Sequence, residues 1–580
     1  MSFPLYGPDQ DGQTDPVTGL PGAARLAADL AARMPADRQE SNGRREGEDF
    51  LLLLEIYPQA RDAERGLTAI QRAGAYLQSL FGISTPLYSL GLGVFALLWS
   101  RVSPEESRHM ADMLLRRLRR EEFGRAHAGL TSLRGGAKMT APRLVTEAWQ
   151  ALAVARRRGP FGLCVAGAER IFPPLASGDR ARLGRLWRGR ERFALLLIRQ
   201  DQVALSNHFS KRVRAALIPD SEVLFLSQRE SMVYLDGADE AAARRWLEEF
   251  RYRMEQSGGS TFSTGIALYP CLSYRKSQIP LNCRKALRHA ELLGPDSLAV
   301  FNGISLNISG DAYYNEGDIR RAVAEYRQGL ALDPANVNLL NSLGVALVQL
   351  NQTKPALAAF EKALQIDPAS FMALCNLGFA HLSSARDDRA IACFEQALTV
   401  NGCSFDLLLQ LGKLYCRRRR YPEAVALLRR CVDDHGVEER RNADLAAAHR
   451  LLGRALLGLE QPRPAMEVVQ KALSLNPRDT EALSLLGELY LINGEGDDIA
   501  LSLCHRAVEM DGKRGESWRR LGWVQWRQGK AVEAEASLRQ GLRLSRRDPL
   551  AASWLGRIYE EQGRHRQARQ MYARAQRWQG

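Results

Sequence analysis

The second half of the sequence repeats itself about every 34 residues, and this period constrains the fold more than any other feature. The clearest copy reads GDAYYNEGDIRRAVAEYRQGLALDP, over residues 310–334. A shift of one period carries Gly310 to Gly344 and Tyr326 to Phe360. Eight copies follow one another, and they begin at Gly303, Val337, Phe371, Phe405, Ala446, Thr480, Gly515 and Pro549. A fixed period of about 20 to 50 residues is typical of stacked repeats.

Each copy has the pattern of two short amphipathic helices joined by a turn, such as the one over residues 315–318. The small residues Gly310 and Ala322 stand where the two helices must approach closely. We expect the large residues Tyr313 and Tyr326 to fill the gap between neighbouring pairs. One pair cannot bury its own apolar stripe, whereas a stack of pairs can.

The spacing and the Gly, Ala and aromatic positions of these copies resemble the tetratricopeptide repeat (TPR) family. A coiled-coil origin does not fit, because the period is neither 7 nor 11. The resemblance covers residues 303–580 and implies a right-handed helical solenoid whose concave face binds another protein. Two spacings break the period: an insertion around residues 439–445 and one extra residue near Asp498.

Composition places the chain among multidomain soluble proteins. It has 580 residues, 45% apolar and 25% charged, which exceeds a single domain. We find no apolar run long enough to span a membrane and no signal-peptide pattern at the start. The nine cysteines are scattered and never form CxxC, which predicts reduced thiols in a cytoplasmic protein and argues against a zinc site.

The net charge of +14 is spread along the chain. Short basic runs, such as residues 116–120 and 417–420, are interpreted as solvated helix faces. Nucleic-acid binding requires a basic stripe with interleaved aromatic residues or a known reading motif, and the sequence has neither. We therefore expect no nucleic-acid partner.

Predicted strands and helices alternate through residues 1–302, in an order that occurs twice. The first block contains a strand at 49–57 and a hairpin-like segment at 86–99. The second block opens with a strand at 190–200 and closes with one at 296–302. This order predicts two α/β domains, each around a mixed sheet. The expected division is 1–168 for the first domain, 169–189 for a linker, 190–302 for the second domain and 303–580 for the all-α repeats.

Both blocks resemble the GGDEF (diguanylate cyclase) family. DPVTGLP, at residues 15–21, matches the segment that precedes the family's catalytic domain. YSLGLGVFALLW (88–99) falls on its hairpin, and EAWQALAVARRRGPFGLCV (147–165) matches its final helix and strand. In the second block FSTGIALYP (262–270) and CRKALRHAELLGPDSLAVFN (283–302) match the closing third. The resemblance implies a nucleotidyl-cyclase-type α/β fold in both domains.

The resemblance also implies that the chemistry has been lost. The family joins two GTP molecules into cyclic di-GMP and needs carboxylates to hold metal ions. Its acids fall on Gly93 and Val94 in the first domain, and Glu230 is the only acid in the second signature. Glu55 falls on the family's strand aspartate, and we interpret it as a surface or strand-end residue. We therefore expect two inactive domains without a metal or cofactor. The degenerate signatures are Gly91, Leu92, Gly93, Val94 and Phe95, and Ser227, Gln228, Arg229, Glu230 and Ser231.

In peptide-binding TPR proteins the first helix of each repeat lines the concave face. The residues that map there are Val345, Met372, Phe379, Lys413, Arg417, Arg450, Arg454, Trp523 and Trp526. Four basic residues beside an apolar patch suggest an acidic amphipathic segment as the ligand. The alternative is that these charges only keep the repeats soluble. An exposed tryptophan would be an interface anchor.

These features predict a non-catalytic bacterial signalling scaffold or regulator. Its TPR array recruits protein partners, and its cyclase-like domains dock another protein or sense a nucleotide. The alternative is an effector that responds to GTP or cyclic di-GMP in a remodelled pocket at either signature. An active diguanylate cyclase is the third reading, and the missing metal ligands argue against it.

Overall fold

A computed structural model describes residues 14–33, 48–57, 62–82, 85–121, 123–133, 140–167, 171–201, 209–219, 221–256, 261–401, 404–433 and 442–579. The chain forms two compact units, Met1–Pro368 and Ala369–Gly580. Parts of the predicted linker (169–170) and of the repeat insertion (439–441) lie outside the described residues, as does Cys403.

The first unit opens with a five-stranded mixed sheet in the order β2-β3-β1-β4-β5. Its neighbours are antiparallel, except for the parallel pair β4 and β5. The strands are β1 (Glu48–Tyr57), β2 (Leu87–Ser89), β3 (Val94–Val102), β4 (Arg125–Ser132) and β5 (Leu163–Val165). Alternate residues of a strand point to opposite faces. Leu52 and Leu54 therefore enter one apolar core, and Leu51 and Leu53 enter the other.

Four helices cover the two faces of this sheet. They are α1 (Ala23–Arg33), α2 (Ala63–Phe81), α3 (Pro104–Arg120) and α4 (Ala141–Arg158). Helices α2 and α3 supply the core on one face, and α1 and α4 supply the core on the other. The start of α3 is fixed by a capping box, in which Ser103 and Glu106 each accept a hydrogen bond from the other's backbone N–H.

A second five-stranded sheet repeats this topology in the order β10-β9-β6-β8-β7. Its strands are β6 (Phe193–Gln200), β7 (Glu222–Phe225), β8 (Glu230–Asp236), β9 (Phe262–Tyr269) and β10 (Leu298–Val300). Its helices are α5 (Ser177–Leu186), α6 (Phe209–Ala216), α7 (Glu240–Gln256) and α8 (Ile279–Leu293), with a 3-10 turn at Lys276–Gln278. Strand for strand, β6 to β10 take the places of β1 to β5.

One close approach fixes the correspondence between the two sheets. A Cβ atom on Gly129 of β4 would lie 2.4 Å from the backbone nitrogen of Leu152 in α4. A Cβ atom on Gly265 of β9 would lie 2.2 Å from that of Leu287 in α8. A side chain at either position would drive the helix off the sheet, so each strand needs glycine there.

The first unit ends with two helix pairs, α9 (Gly303–Asn315) with α10 (Ile319–Leu332), and α11 (Val337–Gln349) with α12 (Thr353–Ile366). In the first pair, a Cβ on Gly310 would lie 2.3 Å from the ring of Tyr326, whose hydroxyl donates to Asp311 at 2.7 Å. Tyr326 therefore fills the space inside its own pair, and the expectation that it separates neighbouring pairs is wrong.

The first pair shares a core with the second sheet. Leu306 of α9 is buried with Leu287 and Phe301, and Leu332 of α10 packs on the same cluster. Beside them, buried Lys285 of α8 forms an ion pair with Glu325 of α10 at 2.6 Å. Packing is therefore continuous across residue 302.

The second unit contains six more helix pairs. They are α13 (Phe371–Ser383), α14 (Asp387–Val400), α15 (Phe405–Arg417), α16 (Tyr421–Asp433), α17 (Asn442–Gly458), α18 (Pro462–Leu475), α19 (Thr480–Asn493), α20 (Asp497–Met510), α21 (Gly515–Arg527), α22 (Ala531–Leu544), α23 (Pro549–Glu561) and α24 (His565–Gln579). First helices begin at the expected residues, except that α17 starts at Asn442 instead of Ala446 and takes up part of the insertion. Within the described ranges, no helix is both long and apolar enough to cross a bilayer.

Candidate functional site

The first degenerate signature forms the turn between β2 and β3. The amide of Leu90 donates to the carbonyl of Val94 at 2.8 Å and closes the hairpin. Gly91, Leu92 and Gly93 make the turn, and the Leu92 side chain is 85% exposed at its tip. Val94 and Phe95 are buried in β3. The turn therefore offers solvent a leucine and backbone groups, and no carboxylate.

The second signature occupies the same turn of the second sheet. The amide of Leu226 donates to the carbonyl of Glu230 at 3.0 Å, which reproduces the hairpin closure of the first domain. Phe225 pairs with Ser231 as Ser89 pairs with Phe95. The two predicted signatures therefore correspond residue by residue. Ser231 is fully buried, and Ser227 caps the turn by accepting from the amides of Arg229 and Glu230.

Glu55, at the signature end of β1, is bound by an arginine. Arg156 of α4 donates from Nε and Nη2 to its two carboxylate oxygens at 2.7 and 2.6 Å, and His127 Nδ1 lies 3.7 Å away. Burial raises the pKa of the Glu55 carboxyl, but the nearby His127 ring and the hydrogen bonds from Arg156 outweigh it and hold the pKa below its usual value. The interpretation of Glu55 as a surface residue is wrong, since it is only 6% exposed.

The second domain has the same ion pair with its charges exchanged. Arg199 of β6 corresponds to Glu55, because Leu53 and Leu197 lie opposite Gly129 and Gly265 respectively. Glu291 of α8 corresponds to Arg156 of α4, because each lies one helical turn after the leucine, Leu287 or Leu152, whose backbone nitrogen faces the glycine. Arg199 and Glu291 are bonded, and Glu230 accepts from Arg199 Nε at 2.7 Å. Both domains therefore join strand and helix through an ion pair at this place.

The DPVTGLP segment is a turn tied to β2. The Asp15 carboxylate accepts from the hydroxyls of Thr18 at 2.6 Å and Ser89 at 2.7 Å. Burial raises the pKa of Asp15, but these hydrogen bonds lower it further, so that the net shift is downward. The segment thus anchors the chain entering α1 to the strand that leads into the signature turn.

No metal site follows from this arrangement. Among the residues that the structure describes, no three His, Cys, Asp or Glu side chains gather as ligands. The position two residues after Glu55 is Tyr57, which supplies no carboxylate. Burial and the Glu55 charge raise the pKa of its phenol.

The first helices of successive pairs contact one another in both units, as α9 does α11 and α19 does α21. We call the side chains on this layer the first-helix face. In the first unit, Val345 lies half-buried on it. In the second unit, Met372 is 58% exposed and Phe379 is 43% exposed. Phe379 rests edge-on against Phe394 at 5.1 Å.

The predicted basic residues of this face mostly have acidic partners in the chain. Arg417 binds Asp387 at 3.1 Å, and Arg450 binds Asp479 at 2.9 Å. Lys413 is exposed, and no carboxylate partner for it occurs among the described residues. Burial of part of its stem and the nearby arginines lower the pKa of Lys413. Lys413 is therefore the cation of this group that remains open to a ligand.

Glu516 is the acidic centre of this charge network. Arg520, Arg519 and Arg454 approach it at 2.9, 3.2 and 3.9 Å. The charge of Arg520 is the largest cause that lowers the pKa of Glu516 to about 2, against an opposing effect of burial. Arg520 is itself buried and also bonds Glu488 at 2.7 Å.

Sequence models of the tetratricopeptide repeat match most of this helical region, over residues 310–351, 337–370, 373–402, 404–478, 450–514 and 525–580. These helix pairs are tetratricopeptide repeats. No curated protein matches the chain.

Several solved structures are similar to parts of the chain. A TPR protein from Parabacteroides merdae is 15% identical over 44% of this chain and 98% of its own, with a TM-score of 0.35. PilF of Pseudomonas aeruginosa is 21% identical over 38% and 97%, with a TM-score of 0.31. MamA of Desulfovibrio magneticus is 20% identical over 30% and 94%, with a TM-score of 0.27. None of these similarities bears on function.

The tryptophans of the seventh TPR repeat are packed and half-buried. Trp523 stacks on Trp554 of the next repeat at 5.6 Å. Trp526 Nε1 donates to Glu561 at 2.8 Å, and Trp518 Nε1 donates to the carbonyl of Gly512 at 2.9 Å. Each therefore joins parts of the array rather than standing free as an anchor.

Sequence reasoning missed the acids that neutralise the arginines of this face. Glu481 and Glu516 are the second residues of the sixth and seventh TPR repeats, and they lie one and two repeats beyond the arginines of the fifth. Arg450 bonds Glu481, as Arg454 approaches Glu516. The signal was the i to i+31 spacing of Arg450 and Glu481, which aligns residues on adjacent first helices.

Proposed function

We propose that the chain is a non-catalytic bacterial signalling scaffold or regulator. Its TPR array binds a protein partner, and its two sheet domains are degenerate GGDEF-like domains that dock a second protein or sense a nucleotide. The TPR repeats support the first part, because a stack of first helices presents a continuous face to a ligand. The GGDEF-like assignment extends over residues 1–168 and 190–302, with the array from residue 303.

The duplicated topology supports the GGDEF-like assignment. Both domains have the same strand order, and both signatures form a hairpin turn of the same length in the same place. The DPVTGLP segment is anchored beside the first signature through Asp15 and Ser89.

The ion pair between Glu55 and Arg156, at the signature end of β1, is the main support for a chain without catalytic activity. Phosphoryl transfer between nucleotides needs free carboxylates for metal ions. Glu55 is instead buried and bound by Arg156 on both oxygens, and the corresponding residue of the second domain is Arg199. Among the described residues, neither domain has a pair of open acids at this position.

Catalysis is tested by incubating the full chain with GTP and either Mg²⁺ or Mn²⁺, and measuring cyclic di-GMP by mass spectrometry. We expect no product above a protein-free blank. Product formation that is lost in Glu55→Gln would refute the proposal. Calorimetry of the full chain with GTP and with cyclic di-GMP tests nucleotide sensing separately.

The partner we propose is an acidic amphipathic segment on the first-helix face of the second unit. Met372 and Phe379 supply exposed apolar area, and Lys413 supplies an exposed cation one repeat further on. Exposed apolar side chains beside a charge fit a helix or strand with one apolar and one acidic face. Arg417 and Arg450 contribute less, since chain carboxylates already bind them.

Affinity capture with full-length variants tests this partner. Met372→Glu with Phe379→Glu should abolish capture of the bound protein, and Lys413→Glu should weaken it in a salt-dependent way. The matched controls are Val532→Glu, at a side chain 80% exposed on a second helix, and Lys471→Glu on α18. Equal loss in the control variants would show that added negative charge, not this surface, matters. Equal capture by every variant would remove the surface from consideration.

A further inference from the structure

We propose that a cleft inside the first unit binds a small organic anion that carries phosphate groups and a planar ring, which is the chemistry of a nucleotide. The cleft has a volume of about 1090 Å³. It lies between the end of α4, the segment 171–175, the start of α8 and the first TPR repeat. It is separate from both signature turns and from the first-helix face of the second unit, so it does not rest on partner binding by the array.

The lining has a large excess of positive charge. Seven arginines face three acidic residues there, and each acid is already engaged. Glu316 pairs with Arg108 at 2.9 Å, Asp318 caps α10 through the amide of Arg321, and Glu325 pairs with Lys285. Arg108, Arg284 and Arg321 have carboxylate partners, which leaves Arg157, Arg158, Arg180 and Arg320 of the lining without one among the described residues.

Two of the arginines hold buried donors without acceptors. The Arg284 side chain is 10% exposed and its Nη1 donates to Glu230 at 3.3 Å, but its Nε has no hydrogen-bond partner. Arg158 Nε is likewise buried and unpaired, although its Nη1 donates to the carbonyls of Leu163 and Glu316 at 2.6 and 3.0 Å. A buried unpaired donor is costly, and a guanidinium matches the geometry of phosphate as well as that of carboxylate oxygens.

Three further arginines stand at the cleft with their charge open. Arg157, Arg180 and Arg320 are exposed, and none of them has a carboxylate partner among the residues that the structure describes. They lie on α4, α5 and α10. An anion in the cleft would thus be reached from three separate elements.

The remaining wall suits a ring. Phe172 and Tyr313 lie 5.7 Å apart, and Trp187 completes an apolar side with neighbouring prolines and aliphatic residues. Aromatic faces and arginines together bind bases by stacking and phosphates by charge. Ligand pockets typically measure roughly 300 to 1000 Å³. This cleft is thus sized for a nucleotide, whereas an extended acidic peptide favours an open groove.

Calorimetry with the full chain tests the proposal. The probes are GTP, cyclic di-GMP, inorganic pyrophosphate and an octaglutamate peptide, each with Mg²⁺. The cleft variant is Arg180→Glu with Arg320→Glu. Its matched control is Arg185→Glu with Arg327→Glu, which makes the same charge change on the same two helices at exposed residues outside the lining. Arg157→Glu is an independent second variant, and circular dichroism verifies folding of each protein.

We expect micromolar binding of at least one nucleotide, weakened at least about tenfold in the cleft variant and in Arg157→Glu. The control should bind as the unchanged chain does, and pyrophosphate should bind more weakly than the nucleotide because it lacks a ring. Equal nucleotide binding by cleft variant and control would overturn the proposal, as would the absence of heat with both nucleotides. Binding of octaglutamate in preference to nucleotides would also overturn it and identify a peptide site. None of these results changes the loss of partner capture that we expect for Met372→Glu with Phe379→Glu.

Discussion

Replacing Glu325 with glutamine should loosen the first TPR repeat from the second sheet domain. Glu325 accepts from Lys285 Nζ at 2.8 and 2.6 Å through its two oxygens and from Ser309 Oγ at 2.6 Å. The Lys285 side chain is only 2% exposed. Glutamine keeps the shape but leaves a buried ammonium without a counter-charge.

The cost follows from that burial. Removing one partner of a buried ion pair destabilises a protein by about 3 to 5 kcal/mol. The Glu325 side chain is 13% exposed, which lets some water reach the pair, and we therefore take the lower end. About 3 kcal/mol corresponds to roughly a 100-fold change in an opening equilibrium.

Native-state hydrogen exchange of the full chain, read by mass spectrometry, measures this opening locally. Peptides from α8 and α10 should exchange roughly 100-fold faster in Glu325→Gln. The control is Glu240→Gln, which breaks an exposed pair with Arg244 and should change exchange by no more than about twofold. A rise below about fivefold in both helices, or equal effects of the two variants, would refute the reasoning. Lys285→Met with Glu325→Leu should recover most of the protection, because no charge is then buried.

Three other perturbations test the packing and the charge networks. Glu516→Gln should lower the stability of the fold at neutral pH. Because Arg520 holds the pKa of Glu516 near 2, the stabilisation from the Glu516 charge is complete above about pH 4.5 and is lost as the pH falls toward 2. The melting temperature of the variant should therefore depend less on pH between these values than that of the unchanged chain. Gly129→Ala should destabilise by about 3 kcal/mol or more, since the new Cβ would meet helix backbone at 2.4 Å, and an unchanged melting temperature would contradict this packing. Glu55→Arg should lower the melting temperature, and adding Arg156→Glu should restore much of the loss; a double variant no better than the single one would show that the pair is not interchangeable.

The repeats could be predicted from the sequence almost to the residue. Gly310 packs against the ring of Tyr326 and, one period later, Gly344 packs against the ring of Phe360. Misplacing a repeat by one residue would put a Cβ atom inside one of these rings. The predicted start of α17 is wrong because the insertion before it extends the helix. The repeat period gives no information on such an extension.

The charge pairs of the site could not be predicted in the same way. Arg417 and Asp387 are 30 residues apart, and Glu55 and Arg156 are 101 apart. A sequence shows that such residues are charged, but the packing of two elements decides whether they meet. A lone acid at a strand end is usually solvated, so the sequence predicts a surface position for Glu55, whereas α4 crosses that end of β1 and covers it.

The exchanged ion pairs indicate what the two sheet domains have kept. Glu55 with Arg156, and Arg199 with Glu291, hold the same strand to the same helix with opposite polarity, so neither domain has a free carboxylate at that strand position. Each domain also has a helix, α4 or α8, that reaches the first TPR repeat. Arg158, at the end of α4, donates to the carbonyl of Glu316, and α8 binds Glu325 through Lys285. The two helices converge on one repeat. We therefore expect these domains to hold the start of the array and, in the cleft that they form with it, to give a ligand access to that joint.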